Sequence, residues 1–348
     1  MTKRHIIISA GGTGGHVFPA LSLYKALVQE GYDCTFVTDK RGHSYLQDIP
    51  CKVLSFHWGS GLLSKLLFFK DIALNTFKML KIHKSKNSQL VIGFGGYSAF
   101  STVLAAQLLK IPTWIMEQNA LAGRTNKVLA KFASKVFLSY ENTQGLKGEC
   151  IGNPVRFTQF ENEKKPFDIK NLKILILGGS QGATALGIPL AQQLIDLNHE
   201  NIQITHQVRP NDVNLIKALY EHVGITATVA PFFKDVEGLM KECDLVLARS
   251  GASTVFECLF LQKPALFIPY PYARDNHQYF NAKALFDKRA CILLEEKDLS
   301  GKSLKEILKK ITPKQYESIQ NAIKEHFPYK NPTQLLAQQI KNLLPLKE

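Results

Sequence analysis

A chain of 348 residues, 45% hydrophobic and 21% charged, has the composition of a globular protein of about two domains, which excludes a disordered chain. Its formal net charge of +14 asks for an anionic partner. No stretch approaches the ~20 apolar residues of a membrane span, which excludes an integral membrane protein built of helices.

The surplus charge is uneven: residues 1–150 carry +10, residues 151–300 carry −1 and residues 301–348 carry +5. The basic partner surface is therefore expected on the first half and the C-terminal tail. Six cysteines lie scattered, with no CxxC pair and no histidines at metal-ligand spacing, as in a reduced cytosolic protein. No RNP, zinc-finger or helix-turn-helix signature points to nucleic acid.

The chain opens as strand, glycine turn, helix. Ile6-Ile7-Ile8 is an apolar β-branched run without alternation, as in a strand covered on both faces. Gly11-Gly-Thr-Gly-Gly15-His16 follows, then a helix with Pro19 in its first turn and Val17, Leu21, Tyr24 and Val28 on its core face. Further strands are predicted at 34–38, 89–93, 113–117 and 135–139. The pattern restarts at Leu172–Leu177, followed by Gly178-Gly-Ser-Gln-Gly182-Ala183 and a helix to about Leu197. Strands are then predicted at 202–208, 226–230, 244–248, 264–268 and 290–294. Alternating strands and helices with two such openings predict two doubly wound, Rossmann-like α/β domains in tandem, joined by a polar linker at residues 161–166. Asn331-Pro332 opens a last amphipathic helix.

Glycine turns after buried strands set backbone N–H groups and a helix N-terminus at the carboxyl edge of a sheet, where phosphates bind. Neither opening carries the G-x-x-x-x-G-K-[ST] pattern, which argues against P-loop chemistry. Asp39, near the end of the second strand, sits where a dinucleotide enzyme keeps its ribose carboxylate and supports a minority oxidoreductase reading. His16 stands at a helix N-terminus, which suits a neutral imidazole acting as general base. Gly93-Phe-Gly95-Gly96-Tyr97-Ser98 is a third glycine turn. Glu117, in Met116-Glu-Gln-Asn119, is a rival base or a structural carboxylate. In the second half, Arg249-Ser-Gly-Ala252-Ser253-Thr254 opens a helix, Glu257 in its second turn suits a ribose diol, and Asp275-Asn-His277-Gln278 suits a sugar ring. Residues 60–86 interleave Leu62, Leu63, Leu66, Leu67, Phe68 and Phe69 with Lys65, Lys70 and further lysines. They form either a core-packed amphipathic helix or an interfacial element meeting anionic headgroups.

The motifs Gly11–Leu21, Gly93–Ser98, Glu117-Gln-Asn119, Gly152-Asn-Pro-Val-Arg156, Gly178–Ala183, Arg249–Ala252 with Glu257, and Asp275–Gln278 with Asn281-Ala282 resemble, in family order, the MurG family of peptidoglycan glycosyltransferases that make lipid II. The resemblance implies a GT-B fold: two Rossmann-like domains facing a central cleft. Residues 1–158 would bind acceptor and membrane, residues 159–330 would bind the donor, and the helix over 331–348 would pack back on the first domain. It implies inverting transfer of N-acetylglucosamine from UDP-N-acetylglucosamine to the 4-hydroxyl of undecaprenyl-pyrophosphoryl-MurNAc-pentapeptide, without cofactor or catalytic metal. The setting would be the cytoplasmic face of the bacterial inner membrane, as a peripheral enzyme meeting other cell-wall and division proteins. Carried over by position, the donor site takes Thr13, Gly14, Gly15, Asn119, Arg156, Ser180, Gln181, Phe233, Ala252, Ser253, Thr254, Glu257, His277 and Gln278. The acceptor pyrophosphate falls to Gly14, Gly15, Gly95, Gly96 and Tyr97. His16 is the expected base and Glu117 the second candidate. Departures from the family pattern are Met116 for a histidine, His277 for a glutamine and Ser253 for an apolar residue. A UDP-sugar 2-epimerase of the same architecture, acting on soluble substrate, is the alternative.

Overall fold

The computed structural model describes residues 4–46, 49–57, 59, 61–157, 167–168, 171–178, 184–195, 202–327 and 331–346. The expected linker at 161–166 lies outside them. The chain divides into two units, Met1–Arg156 with Lys330–Glu348, and Phe157–Tyr329.

The first unit holds strands β1 (His5–Ser9), β2 (Asp33–Asp39), β3 (Cys51–Leu54), β4 (Leu90–Gly93), β5 (Thr113–Glu117), β6 (Lys135–Leu138) and β7 (Glu149–Cys150). They form one sheet in the order β3-β2-β1-β4-β5-β6-β7, with every pairing parallel. The order reverses beside β1, so the carboxyl ends of β1 and β4 flank the switch point where ligands of such sheets bind. Helices α1 (Gly14–Gln29), α2 (Lys40–His43), α3 (Leu62–Lys86), α4 (Gly96–Leu108) and α5 (Arg124–Leu129) connect the strands.

Ile6, Ile7 and Ile8 are fully buried, as a strand with both faces covered requires. Ile6 and Ile8 face a core built with Val17, Ala20, Leu23 and Leu27 of α1, whereas Ile7 faces Met79 of α3, Val103 of α4 and Leu129 of α5. Thus α3, α4 and α5 share the layer opposite α1. Helix α1 starts at Gly14, so Pro19 lies inside it rather than in its first turn. Its core face is rotated from the sequence expectation: Leu21 is half-buried and Val28 exposed, while Ala20, Leu23 and Leu27 fill the interior. The glycine turn itself enters the helix, which moves the start back. β3 and β7 were not predicted; both are short and lie at the sheet's two ends, where little burial imposes an apolar run.

In the second unit, β8 (Lys173–Leu177), α6 (Ile188–Ile195), β9 (Gln203–Gln207), α7 (Val213–His222), β10 (Thr226–Ala230), α8 (Val236–Glu242), β11 (Leu245–Ala248), α9 (Ala252–Phe260), β12 (Ala265–Phe267), α10 (His277–Phe286), β13 (Ile292–Leu293), α11 (Gly301–Lys310) and α12 (Pro313–His326) follow in order. The sheet runs β10-β9-β8-β11-β12-β13, again all parallel. Ile174, Ile176, Ile204, Leu245 and Leu247 anchor its core. Helix α13 (Pro332–Leu343) belongs to the first unit: Leu336, Ala337 and Ile340 join the α1 core, and the Tyr32 hydroxyl donates to the Leu344 carbonyl at 2.9 Å.

Candidate active site

At the switch point of the first sheet two glycine turns are locked together. The Gly11 amide donates to the Gly95 carbonyl at 3.1 Å. Gly95 and Gly96 have φ of +104° and +83°, in the left-handed region that favours glycine. A Cβ on Gly96 would stand 2.7 Å from the Gly11 carbonyl oxygen, so the turns approach as closely as only glycine permits. The N-termini of α1 and α4 consequently open at one sheet edge, with their first-turn N–H groups and positive dipole ends side by side. Thr13 caps α1 with its carbonyl, which accepts from His16 and Val17, while its exposed hydroxyl makes no cap bond. Gly14 and Gly15 begin α1, and Tyr97 begins α4 with its ring edge-on to Phe68 at 4.8 Å.

His16 is held from two sides. A Cβ on Gly95 would come within 3.0 Å of the imidazole Cε1, so the ring lies against bare backbone. Its Nδ1 is 2.8 Å from the Oε1 of Gln118, a fully buried side chain just past β5. Sequence reasoning passed over Gln118 as one polar group among several; its position directly after a buried strand that ends at the ligand edge was the available signal.

Glu117 is fully buried, and both carboxylate oxygens are occupied. Oε1 accepts from the Asn119 amide at 3.0 Å and from Asn119 Nδ2 at 3.2 Å. Oε2 accepts from the Gly123 amide at 2.9 Å and from Asn126 Nδ2 at 2.8 Å. A carboxylate with four donors holds the 119–126 turn and sets the orientation of Asn119, which favours the structural reading of Glu117 over that of a base. Asp39 is half engaged: its Oδ1 caps α2 by accepting from the Gly42 amide at 2.8 Å, while its buried Oδ2 lies under Gly11 without a hydrogen-bond partner. Arg156 is exposed, with its guanidinium 5.5 Å from the Phe18 ring.

Helix α3 reverses the usual amphipathic rule. Its covered residues include Asp71, Asn75, Thr76, Met79 and His83. Asp71 accepts from the His57 amide and Nδ1, Asn75 donates to the Ser55 carbonyl, and His83 Nε2 donates to the Thr102 carbonyl. Burial disfavours the Asp71 carboxylate, yet the His57 hydrogen bonds hold its pKa below the ordinary value. The open side carries Leu62, Leu63, Leu66 and Phe69, 58–75% exposed, and continues through Leu74 and Phe77. Lys65 and Lys70 are exposed with them. The other two residues of the expected apolar contact, Leu67 and Phe68, are half-buried, and the Phe68 ring packs on Phe56, Phe69 and Tyr97. Among the described residues no helix is long and apolar enough to cross a membrane.

In the second unit, α9 starts after Gly251 with Ala252, Ser253 and Thr254 in its first turn, and the Val255 amide makes the first bond back to Gly251. Glu257 is 3% exposed on the next turn. The entries of α9 and α10 are stitched together: Ser250 Oγ donates to the Gln278 carbonyl at 2.8 Å and Asn281 Nδ2 donates to the Ser250 carbonyl at 3.1 Å. The Tyr270 amide donates to Gln278 Oε1 at 2.9 Å. His277 Nδ1 donates to the Arg274 carbonyl at 2.8 Å, which in the neutral ring makes Nε2 the acceptor. Asp275 and Asn276 adopt successive left-handed conformations, φ 51° and 53°, a strain of about 1–3 kcal/mol each that such sites hold in place. Arg249, taken from sequence only as a helix opening, is buried. It donates to the Ile268 and Pro269 carbonyls, both at 3.0 Å, and pairs with Glu296, fixing the loop that carries Tyr270.

Phe233 follows β10, three strands from β11 in the sheet order. It is half-buried, whereas its neighbour Phe232 presents an exposed ring. Ser180 and Gln181 lie outside the described residues. The structure thus gathers Thr13, Gly14, Gly15, His16, Gly95, Gly96, Tyr97, Glu117 and Asn119 in the first unit. It gathers Ala252, Ser253, Thr254, Glu257, His277 and Gln278 in the second.

Residues 6–138 match the N-terminal domain of glycosyltransferase family 28, and residues 173–340 match the C-terminal domain of that family. Two Rossmann-like domains with these matches define a GT-B glycosyltransferase. A UDP-N-acetylglucosamine--N-acetylmuramyl-(pentapeptide) pyrophosphoryl-undecaprenol N-acetylglucosamine transferase from Rhodospirillum rubrum is 36% identical over 319 residues, 87% of this chain and 82% of that protein. The crystal structure of Acinetobacter baumannii MurG superposes with a TM-score of 0.83 at 31% identity, covering 97% of this chain and 99% of that one. The chain belongs to the MurG family. A candidate UDP-N-acetylglucosamine 2-epimerase from Listeria monocytogenes shares the fold, with a TM-score of 0.64 at 13% identity.

Proposed function

We propose that this chain transfers N-acetylglucosamine from UDP-N-acetylglucosamine to the muramyl sugar of a pyrophosphoryl-undecaprenol-linked pentapeptide, the last step in making lipid II. The observation that carries this is the 36% identity, over 87% of the chain, to a transferase of that name. The locked glycine turns supply what the lipid-linked acceptor asks for. Two helix N-termini that open side by side attract a pyrophosphate without any cationic side chain in the turn.

The chemistry is a single displacement with inversion. His16 takes the proton of the acceptor 4-hydroxyl as its oxygen bonds to the anomeric carbon, and the bond from that carbon to UDP breaks. In the second unit the first-turn amides of Ala252, Ser253 and Thr254 stabilise the departing diphosphate, as N–H groups at a helix N-terminus do. Glu257 serves the ribose, and His277 and Gln278 serve the sugar.

The exposed side of α3 meets the membrane: Leu62, Leu63, Leu66 and Phe69 enter the interface while Lys65 and Lys70 face anionic headgroups. The enzyme then works as a peripheral protein beside its lipid substrate.

The test is release of UDP from UDP-N-acetylglucosamine by purified protein, with and without a short-chain analogue of the lipid-linked acceptor. Release only with the acceptor supports the reading. Release or epimerisation of the donor alone would transfer the chain to the soluble epimerase chemistry.

A further inference from the structure

The imidazole of His16 has two nitrogens, and only one of them can serve as base. Which one is free follows from a chain of groups that begins at a carbonyl. Gln118 Nε2 lies 2.8 Å from the Met116 backbone carbonyl. A carbonyl oxygen can only accept, so the Gln118 NH2 must point at it. The amide oxygen is thereby turned toward His16 Nδ1 at 2.8 Å. An amide oxygen also only accepts, so Nδ1 must carry the proton. In the neutral ring Nε2 is then left without one, its lone pair in the ring plane.

We infer that Gln118 is the positioning residue that locks His16 in the Nδ1–H tautomer and so presents Nε2 as the proton acceptor; its catalytic part rests on the proposed role of His16 as base. Three features make this a lock rather than a passing contact. Gln118 is fully buried, so water does not compete for its amide. Gly95 backs the ring face, which fixes the imidazole plane. The far end of the relay is backbone, held by β5 between β4 and β6. Met116 contributes to the relay through its backbone alone: its side chain lies in the core cluster with Trp114 and Phe137. A neutral amide orders the ring without placing a carboxylate beside it, so the imidazolium formed in the reaction gains no ion pair there and returns its proton readily.

The tautomer is read directly by long-range proton–nitrogen correlation spectra of protein labelled with imidazole-15N histidine, the His16 signals being identified by their loss in His16→Gln. The wild-type ring is expected to show a protonated Nδ1 and a bare Nε2. In Gln118→Met the pattern should move to Nε2–H or average between the forms, and kcat should fall at least ~10-fold with the KM for UDP-N-acetylglucosamine within about twofold. Gln118→Glu keeps an acceptor facing Nδ1 and should retain the Nδ1–H form, but it loses the bond to the Met116 carbonyl and its charge holds the imidazolium, so kcat should stay well below wild type. A wild-type ring protonated at Nε2 overturns the inference without any variant, as does an unchanged tautomer in Gln118→Met. Turnover surviving in His16→Gln would instead remove the base assignment while leaving the tautomer lock standing.

Discussion

Replacing Leu66 and Phe69 of α3 by serine tests the proposed membrane face most directly, because both side chains are largely open to solvent. Leu66 is 58% and Phe69 67% exposed. Full burial of such a side chain is worth about 2 kcal/mol, so the exposed fractions together represent about 2.5 kcal/mol of transfer into the interface. At 1.4 kcal/mol per factor of ten, partition onto vesicles should weaken roughly 60-fold. The assay is sedimentation with vesicles containing a third anionic lipid, at low and at 0.5 M salt. Lys65→Gln with Lys70→Gln should remove much of the salt dependence, each lysine being worth about 1 kcal/mol near such a surface. Folding stability should change by no more than about 0.5 kcal/mol, as at other exposed sites. A partition coefficient that falls less than threefold would refute the placement of α3 at the membrane. So would a large fall accompanied by loss of stability, since the residues would then be holding the fold.

His16→Ala should lower turnover at least ~100-fold while isothermal titration finds donor binding within about twofold. Glu117→Gln brings an NH2 group against the donors that now face one carboxylate oxygen, and should cost about 2–4 kcal/mol in thermal unfolding; unchanged stability with lost activity would return Glu117 to the chemistry. In the second unit His206 is fully buried between the Tyr220 hydroxyl and the Leu186 carbonyl, and burial lowers its pKa from 6.5 to about 4. The unfolded chain therefore takes up a proton that the folded chain refuses. Stability is complete above pH 6.5 and falls by up to about 3 kcal/mol as pH drops to about 4. Hydrogen exchange at β9, corrected for intrinsic rates, should show this loss in the wild type and not in His206→Gln.

The strands were legible where burial on both faces leaves no choice of residue, as in Ile6-Ile7-Ile8 and Leu172–Leu177. β7 was not, because Glu149 and Cys150 are both exposed and nothing in their surroundings demands an apolar pattern. The glycine turns were legible as turns, but not as a locked pair: Gly11 and Gly96 meet across the sheet, and only their backbones touch. Gln118 was illegible for a related reason, since its bond to His16 spans 102 residues. The phase of α3 could not be read because its covered side is polar. A rule that sends apolar side chains inward buries both Phe68 and Phe69, whereas the fold packs Phe68 on Tyr97 and leaves Phe69, edge-on to it, 67% exposed.

That polar underside has a consequence for how the protein behaves when lipid is scarce. The first unit carries a net +13 and the second +1, so two molecules approaching through their α3 faces bring like charges together before their leucines touch. At low ionic strength this keeps the chain dispersed. As salt shortens the range of the repulsion, the same face becomes adhesive, and self-association should rise with ionic strength while vesicle binding falls. Because the exposed leucines and Phe69 contribute little to the fold, drift at these positions is invisible to folding and is judged only by where the molecule resides.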